Sequence, residues 1–116
     1  MALNFVNVTG QFYAASPASS NPAAGSILFH ASDILWSTAG VYVGTLNDVG
    51  CTFNSAGQLT NCMLLAMDNA GLSGNWCWQC TITIGALTFP TRKLAVNFAN
   101  GATQDISALL NASTLL

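Results

Sequence analysis

Residues 76–84 have the sequence W-C-W-Q-C-T-I-T-I, and the alternation in the second half of this stretch decides the fold class. On an extended strand Thr81 and Thr83 share one face and Ile82 and Ile84 share the other, because successive side chains point to opposite sides. Both residue types branch at Cβ and favour extended backbone. The stretch therefore predicts a β-strand.

Similar runs rich in apolar residues lie on both sides of this strand. The additional predicted strands cover residues 4–13, 26–30, 41–46, 58–66 and 87–98. Gly10 introduces a bulge or kink into the first of them, and Pro90 breaks the last, which resumes over residues 93–98. The strand at 41–46 continues, after an interruption, through residues 51–53.

Turns and loops separate the predicted strands. Residues 14–25 and 67–75 are small and polar and predict loops. Asn54-Ser55-Ala56-Gly57 lies between two apolar runs and predicts a hairpin, and Asn100-Gly101 predicts another turn. Turn residues recur roughly every 8–12 residues, a spacing typical of a β-sandwich or a small barrel.

The sequence does not decide the local structure of two segments. Residues 31–40 are ambiguous, because Ser32 is placed to cap a helical turn over residues 33–36. Residues 105–110 predict either a short helical turn or a terminal strand. Neither segment alters the overall prediction, which is one all-β domain over residues 1–116. We expect a single small β-sandwich, Ig-like or Greek-key, with about seven short antiparallel strands.

The amino-acid composition argues against several classes of function. Apolar residues make up 52% of the chain and charged residues 5%, against about 25% charged residues in a typical soluble domain. Lys plus Arg is 2, which argues against a nucleic-acid partner and a polybasic membrane anchor, since both need clusters of cations. The chain is also too apolar to be disordered. Few groups are available for acid–base catalysis, so we predict no enzyme.

The sequence shows no targeting or membrane segment. The apolar run at residues 63–67 is far shorter than the roughly 20 residues that a membrane-spanning helix needs. Residues 1–8 alternate in character and lack the basic start and apolar core of a signal peptide. We therefore expect synthesis in a cytosol and no membrane partner.

The four cysteines are Cys51, Cys62, Cys77 and Cys80. In the absence of a signal peptide, reduced thiols, buried or half-buried, are the expected state. Cys77 and Cys80 form a C-x-x-C, but an offset of three on a strand points the two thiols to opposite faces, which disfavours a redox pair. A zinc site that adds Cys51 and Cys62, and a disulfide between those two residues, are the alternatives.

The other candidate groups favour structural roles. His30 is the one histidine and lies at a predicted strand end without a nucleophile motif beside it. Asp68 opens a D-N-A-G sequence, but one carboxylate is too few for calcium, so a capped turn is expected. We assign no catalytic, cofactor-binding or metal-binding residue and no cofactor.

The remaining candidate residues are the three tryptophans and the two basic residues. Trp36, Trp76 and Trp78 are expected in the core or at an interface, with a carbohydrate-stacking platform as the alternative. Trp76 and Trp78 are two residues apart and therefore share one strand face. Arg92 and Lys93 are the two cations and predict a solvated turn or a rim contact to an acidic partner.

The scarcity of charge favours a protein that works in an assembly. A lone soluble domain usually carries both charge signs on its surface. Here the polar surface must come from Asn, Ser, Thr and Gln, while exposed apolar surface on a free monomer promotes aggregation. Obligate interfaces are more apolar than ordinary surface, so permanent contact with other subunits is expected.

The order of several short motifs along the chain resembles the order found in a known group of proteins. The motifs are V-T-G at residues 8–10, P-A-A-G-S-I-L-F at 22–29, N-S-A-G at 54–57, D-N-A-G-L at 68–72, N-W-C-W-Q-C at 75–80 and D-I-S-A-L-L at 105–110. In this order they resemble small β-sandwich structural domains of tailed bacteriophages, especially phages that infect actinobacteria. Trp78 stands where those domains usually have Tyr, Asn75 stands where they have Gly, and the cysteines are not part of their pattern.

The resemblance implies a non-enzymatic virion protein. The expected function is capsid decoration: copies bind the outer face of the major capsid protein lattice and stabilise the shell. Contacts between neighbouring copies are expected, with a trimer as one arrangement, and the expected location is the virion. The alternatives are a minor tail or head–tail structural protein and, from a different class, a carbohydrate-binding β-sandwich module.

Overall fold

The computed structural model describes residues 3–16, 19–33, 35–37, 42–44, 47–69, 72–73 and 76–116. Strands dominate these residues, which confirms the predicted all-β fold class, but the described residues form fourteen short strands where about seven are expected. The elements, in chain order, are β1 (Phe5–Thr9), β2 (Tyr13–Ser16), β3 (Ser19–Pro22), β4 (Gly25–Ala31), β5 (Leu35–Ser37), β6 (Tyr42–Gly44), β7 (Val49–Thr52), β8 (Met63–Leu65), β9 (Leu72–Ser73), β10 (Trp78–Ile84), β11 (Leu87–Thr88), β12 (Arg92–Leu94), a 3-10 turn (Phe98–Asn100), β13 (Thr103–Asp105), α1 (Ile106–Asn111) and β14 (Thr114–Leu115).

The larger sheet is built around β10, the strand with the clearest alternation. Its order is β14-β12-β10-β4-β7, and β11 also pairs with β10. β4 runs antiparallel to β10 from Trp78 opposite Ala31 to Ile84 opposite Gly25. Ile27 and Phe29 of β4 are buried, while the intervening Leu28 is exposed, so one face of the sheet meets the core and the other meets solvent.

A second sheet of order β13-β1-β8 covers part of that inner face. Val6 and Val8 of β1 and Leu64 of β8 are buried in the same core cluster as Phe29 and Trp78 of the larger sheet. This arrangement is a β-sandwich. β1 pairs with β8 antiparallel but with β13 parallel, which departs from the expected all-antiparallel pairing. The chain that joins β1 to β13 includes every strand of the larger sheet except β14, and this long connection permits the parallel pairing.

The predicted hairpin turn at residues 54–57 is confirmed. The Gly57 N–H donates to the Asn54 carbonyl at 2.9 Å, and the Asn54 Oδ1 accepts from the N–H groups of Ala56 and Gln58 at 2.9 and 3.0 Å. Gly57 has φ +76°, a left-handed conformation, and a Cβ there would run into the Phe12 carbonyl oxygen. Both facts explain why asparagine and glycine occupy the two ends of this turn.

A disulfide between Cys51 and Cys62 joins the two sheets. Cys51 lies in β7 of the larger sheet and Cys62 immediately precedes β8 of the smaller one, with their Cα atoms 5.5 Å apart. The expectation of reduced thiols is therefore wrong for this pair, and the zinc hypothesis loses two of its four ligands. The structure leaves Cys77 and Cys80 as free thiols, as expected.

Several local predictions are wrong because tertiary pairing overrides composition. Residues 14–25 were expected as a loop, but β2 and β3 pair there and β4 begins at Gly25. β9 lies within the predicted loop at 67–75. In residues 31–40, which the sequence left open, β5 forms in place of the possible helical turn. The predicted strand at 58–66 is reduced to β8, because Asn61 has φ +53° and bends the chain toward the other sheet.

The remaining segments follow the prediction in part. β12 ends at Leu94, and the 3-10 turn replaces the end of the predicted strand at 87–98. For residues 105–110 the helical alternative is confirmed: Asp105 is the N-cap of α1, and its Oδ1 accepts from the Ser107 N–H at 2.8 Å. β6 covers the middle of the predicted strand at 41–46, whose other residues lie outside the described ones.

Reduction of the Cys51–Cys62 disulfide is expected to lower the free energy of unfolding. The bond closes a loop with a sequence separation of 11, for which loop-closure entropy predicts a loss of about 3 kcal/mol. Urea unfolding with and without dithiothreitol measures this difference. The control is Cys77→Ser, which should retain the full response to the reductant. An unfolding midpoint that is the same in both conditions would contradict the bond.

Candidate functional site

The C-x-x-C residues do not form a joint site. Cys80 points into the core, where burial raises the pKa of its thiol to about 12 even though the Arg92 charge lowers it. A thiol with this pKa stays protonated and unreactive at neutral pH. Cys77 precedes β10 and is half-buried; its N–H donates to Ser32 Oγ at 2.9 Å. The prediction that the two thiols neither bond nor share a metal is consistent with these positions.

His30 lies on the solvent side of β4, opposite Gln79 of β10. Its Nδ1 is 2.6 Å from Asp48 Oδ1, and the two side chains are 55% and 46% exposed. A side-chain contact this exposed contributes little to stability because water competes for both groups. Within the described residues no cluster of three or more His, Cys, Asp or Glu side chains is arranged to hold a metal ion.

Asp68 caps the 3-10 turn at Phe98–Asn100 and not the turn predicted at residues 68–71, of which Ala70 and Gly71 lie outside the described residues. Its carboxylate accepts from the Phe98 N–H at 2.7 Å and from the Ala99 N–H at 3.0 Å, so it closes the start of the 3-10 turn. Burial raises the pKa of this carboxyl, but the hydrogen bonds from Ala99, Phe98 and its own N–H outweigh that effect and lower it. The neighbouring Asn69 is buried and accepts from the Asn4 N–H at 2.6 Å.

Trp76 and Trp78 do not form a flat platform. Trp78 is buried, and its Nε1–H donates to the Leu65 carbonyl across the core at 3.0 Å. Trp76 is half-buried and packs edge-on against Trp78 at 72°. This geometry confirms the core interpretation for Trp78 and offers no stacking surface to a sugar from that pair. The side chain of Trp36 lies outside the described residues.

The two basic residues lie in a strand and not in a turn. Arg92 and Lys93 belong to β12, which pairs with β10 and β14. The Arg92 guanidinium is half-buried and donates from Nε to Ser113 Oγ at 2.5 Å and from Nη2 to the Ser113 carbonyl at 3.2 Å. Arg92 therefore anchors the segment after α1, and Lys93 is the more exposed of the two cations.

The outer face of the larger sheet carries hydroxyl groups at one end. Thr81 Oγ1 lies 2.7 Å from Thr91 Oγ1, and Thr83 Oγ1 lies 3.3 Å from Thr88 Oγ1. Leu28, opposite Thr81, is 46% exposed in the middle of this face. The result is an uncharged surface of hydroxyl and methyl groups.

An apolar groove of about 630 Å³ opens at the same end of the sheet, on the core side. We use the name apolar groove for the surface between the β10–β11 turn and the paired strands β2 and β3; its largest side chains are those of Tyr13, Pro22, Ile84, Leu87 and Phe89. Leu87 lies opposite Ile84, and both therefore point to the core face. The groove exists because the larger sheet extends beyond the part that the smaller sheet covers.

None of the six charged residues lines the apolar groove. The two cations of the larger sheet lie level with Gln79 and Cys80, since Lys93 is opposite Gln79 and Arg92 is opposite Cys80. Thr83 is four residues further along β10, roughly 13 Å at 3.3 Å per residue. The sequence did not predict this separation, because it depends on strand register.

No family model, no curated protein and no solved structure matches the chain. Among the described residues, no helix has both the length and the apolar character needed to cross a membrane.

Replacing Asp68 with Ala is expected to lower the free energy of unfolding at pH 7 by about 1 kcal/mol, the typical value for a lost cap. The folded-state pKa of Asp68 lies below its unfolded value. The stabilisation is therefore complete above the usual Asp range and is lost as the pH falls through the folded-state pKa. Urea unfolding of both proteins at neutral and acidic pH tests this, with Asp68→Asn as the control that keeps an acceptor oxygen. A difference that persists unchanged in acid would contradict the role.

Proposed function

We propose that the chain is a non-enzymatic virion structural protein, a capsid decoration protein that binds the outer face of a major capsid protein lattice. The observation that carries the proposal is a surface with almost no charge, combined with exposed apolar side chains on a rigid β-sandwich. The order of motifs that resembles small structural domains of tailed phages supports the same assignment.

The charge distribution supports a protein partner. With two cations, one of them engaged with Ser113, the chain offers no basic patch for a phosphate backbone. The end of the sandwich that holds the apolar groove presents Tyr13, Leu87 and Phe89 at 60%, 66% and 44% exposure. Exposed apolar clusters of this kind are typical of surfaces that bind other proteins.

The internal construction supports a mechanical role. One core cluster spans both sheets, and the Cys51–Cys62 bond joins them covalently. A subunit that stabilises a shell must resist deformation itself, because it acts by adding binding free energy to the assembled state.

The copy number of the chain in purified particles tests the proposal directly. Quantitative mass spectrometry against the major capsid protein should give a ratio near one to one, or one to a few. A handful of copies per particle would instead place the chain in the tail or at the head–tail junction. Its absence from particles would overturn the virion assignment.

Binding to shells that lack the protein is expected to depend weakly on salt. Raising NaCl from about 0.1 M to about 1 M shortens the screening length from about 10 Å to about 3 Å, which weakens charge pairs but not apolar contacts. The affinity should therefore change by less than about threefold. A contact that relied on several charge pairs would lose much more of its affinity at high salt. Co-sedimentation with shells at both salt concentrations measures it, and Lys93→Gln should bind like the wild type. A tenfold loss of affinity at high salt would contradict an uncharged interface.

A further inference from the structure

The outer edge of β11 presents unpaired backbone groups. The β10–β11 hairpin turns at residues 85–86, and Thr83 lies opposite Thr88. The Phe89 N–H donates to the Ile82 carbonyl at 2.9 Å. In such a hairpin, hydrogen-bonded and non-bonded pairs alternate, so the N–H and C=O of Thr88 point away from β10. They are directed to the free side of β11.

The described strands leave this side uncovered. β14 pairs with β12 only at Arg92 and Lys93, and β11 pairs with β10 alone among the described strands. Proteins commonly protect such an edge with charged side chains. Leu87, Thr88 and Phe89 carry none, and Pro90, which has no N–H, limits the pairing edge to these three residues.

The side chains of this edge are complementary to themselves. Leu87 and Phe89 point to the same face of the strand, opposite Ile84 and Ile82 respectively. If two β11 strands run antiparallel about a twofold axis at Thr88, each Thr88 N–H meets the Thr88 carbonyl of the other copy. Leu87 then lies opposite Phe89 of the second copy, and Phe89 lies opposite its Leu87. Both are apolar cross-strand pairs.

We infer that two copies of the chain pair through β11, and that the apolar groove of each is covered by the other. The twofold pairing continues the larger sheet from one copy into the next. It is isologous, because each copy uses the same surface, so it closes after two copies and does not propagate into a fibre. The inference goes beyond the proposed decoration function and does not depend on it.

The area and the charge of this surface fit a second copy. Tyr13, Leu87 and Phe89 expose 60%, 66% and 44% of their surface, which amounts to on the order of 100 Å² each for side chains of this size. Over two copies these three side chains supply roughly 600 Å², which is below the roughly 1,200 Å² of a stable interface and fits a weak, reversible pairing. An identical copy carries the same charge sign, but all six charged residues lie outside the groove, so repulsion there is small.

Sedimentation equilibrium of the full chain tests the pairing. The average mass should rise from 12.0 kDa toward twice that value as the concentration passes through roughly 10–100 µM, the range expected for a small interface. Thr88→Pro removes the outward N–H without breaking an internal bond and should leave a monomer throughout. Thr88→Val keeps that N–H and should dimerise like the wild type.

A second matched pair tests the side chains. Leu87→Lys places a charge in the apolar groove, and Leu28→Lys places the same charge on the outer face of the same sheet, where Leu28 is 46% exposed. The first should abolish the dimer and the second should preserve it, while circular dichroism confirms that all four variants are folded.

Three outcomes would overturn the inference. The first is a wild-type protein that stays monomeric at all concentrations. In that case the apolar dye 1-anilinonaphthalene-8-sulfonate tests the groove for another occupant. Dye binding that is lost in Leu87→Lys would assign the groove to a small apolar ligand. The second is a dimer that persists in Thr88→Pro, which would assign self-association to another surface. The third is equal disruption by Leu28→Lys.

Discussion

The antiparallel ladder between β4 and β10 is the interaction on which the rest of the structure depends. It runs in register from Trp78 opposite Ala31 to Ile84 opposite Gly25, and it sets which side chains face the core. Phe29 and Cys80 are directly opposite each other and both buried, so the smaller sheet has an apolar surface on which to pack. A slip of one residue would exchange the two faces and place His30 in the core.

The same ladder determines where the exposed surfaces lie. At one end of this ladder, where Ile84 lies opposite Gly25, the apolar groove opens between the β10–β11 turn and the paired strands β2 and β3. At the other end the register brings Lys93, Gln79 and His30 side by side on the outer face. Charge and exposed apolar surface are therefore separated along one sheet, and each end suits a different kind of neighbour.

The sequence predicted those features that local chemistry decides. The alternation in residues 81–84 located β10, and Asn54 with Gly57 located the hairpin turn, because each depends on neighbouring residues alone. The failures depend on distant partners. Residues 14–25 have the composition of a loop, yet β2 and β3 pair there, and residues near 61 bend away because the chain must cross to the other sheet.

The candidate surfaces could be predicted less well than the fold. The sequence showed that charge is scarce, and it identified Trp78 as a core residue, because composition and alternation carry that information. It did not locate the apolar groove, since Tyr13 and Leu87 are far apart in the chain and meet only through the register of two sheets. The bond between Cys51 and Cys62 was an alternative that local sequence could not decide, because only the packing of β7 against the smaller sheet brings the two residues together.

The bond between Cys51 and Cys62 has a consequence for cleavage by proteases. The exposed turn residues Ser55 and Ala56 lie inside the ring that the bond closes, so they are an accessible place for a cut. A cut there opens the ring but leaves the two fragments joined by sulfur, each still holding strands of both sheets. The nicked molecule keeps both fragments and its core contacts, and it separates into two pieces only when it is both reduced and unfolded.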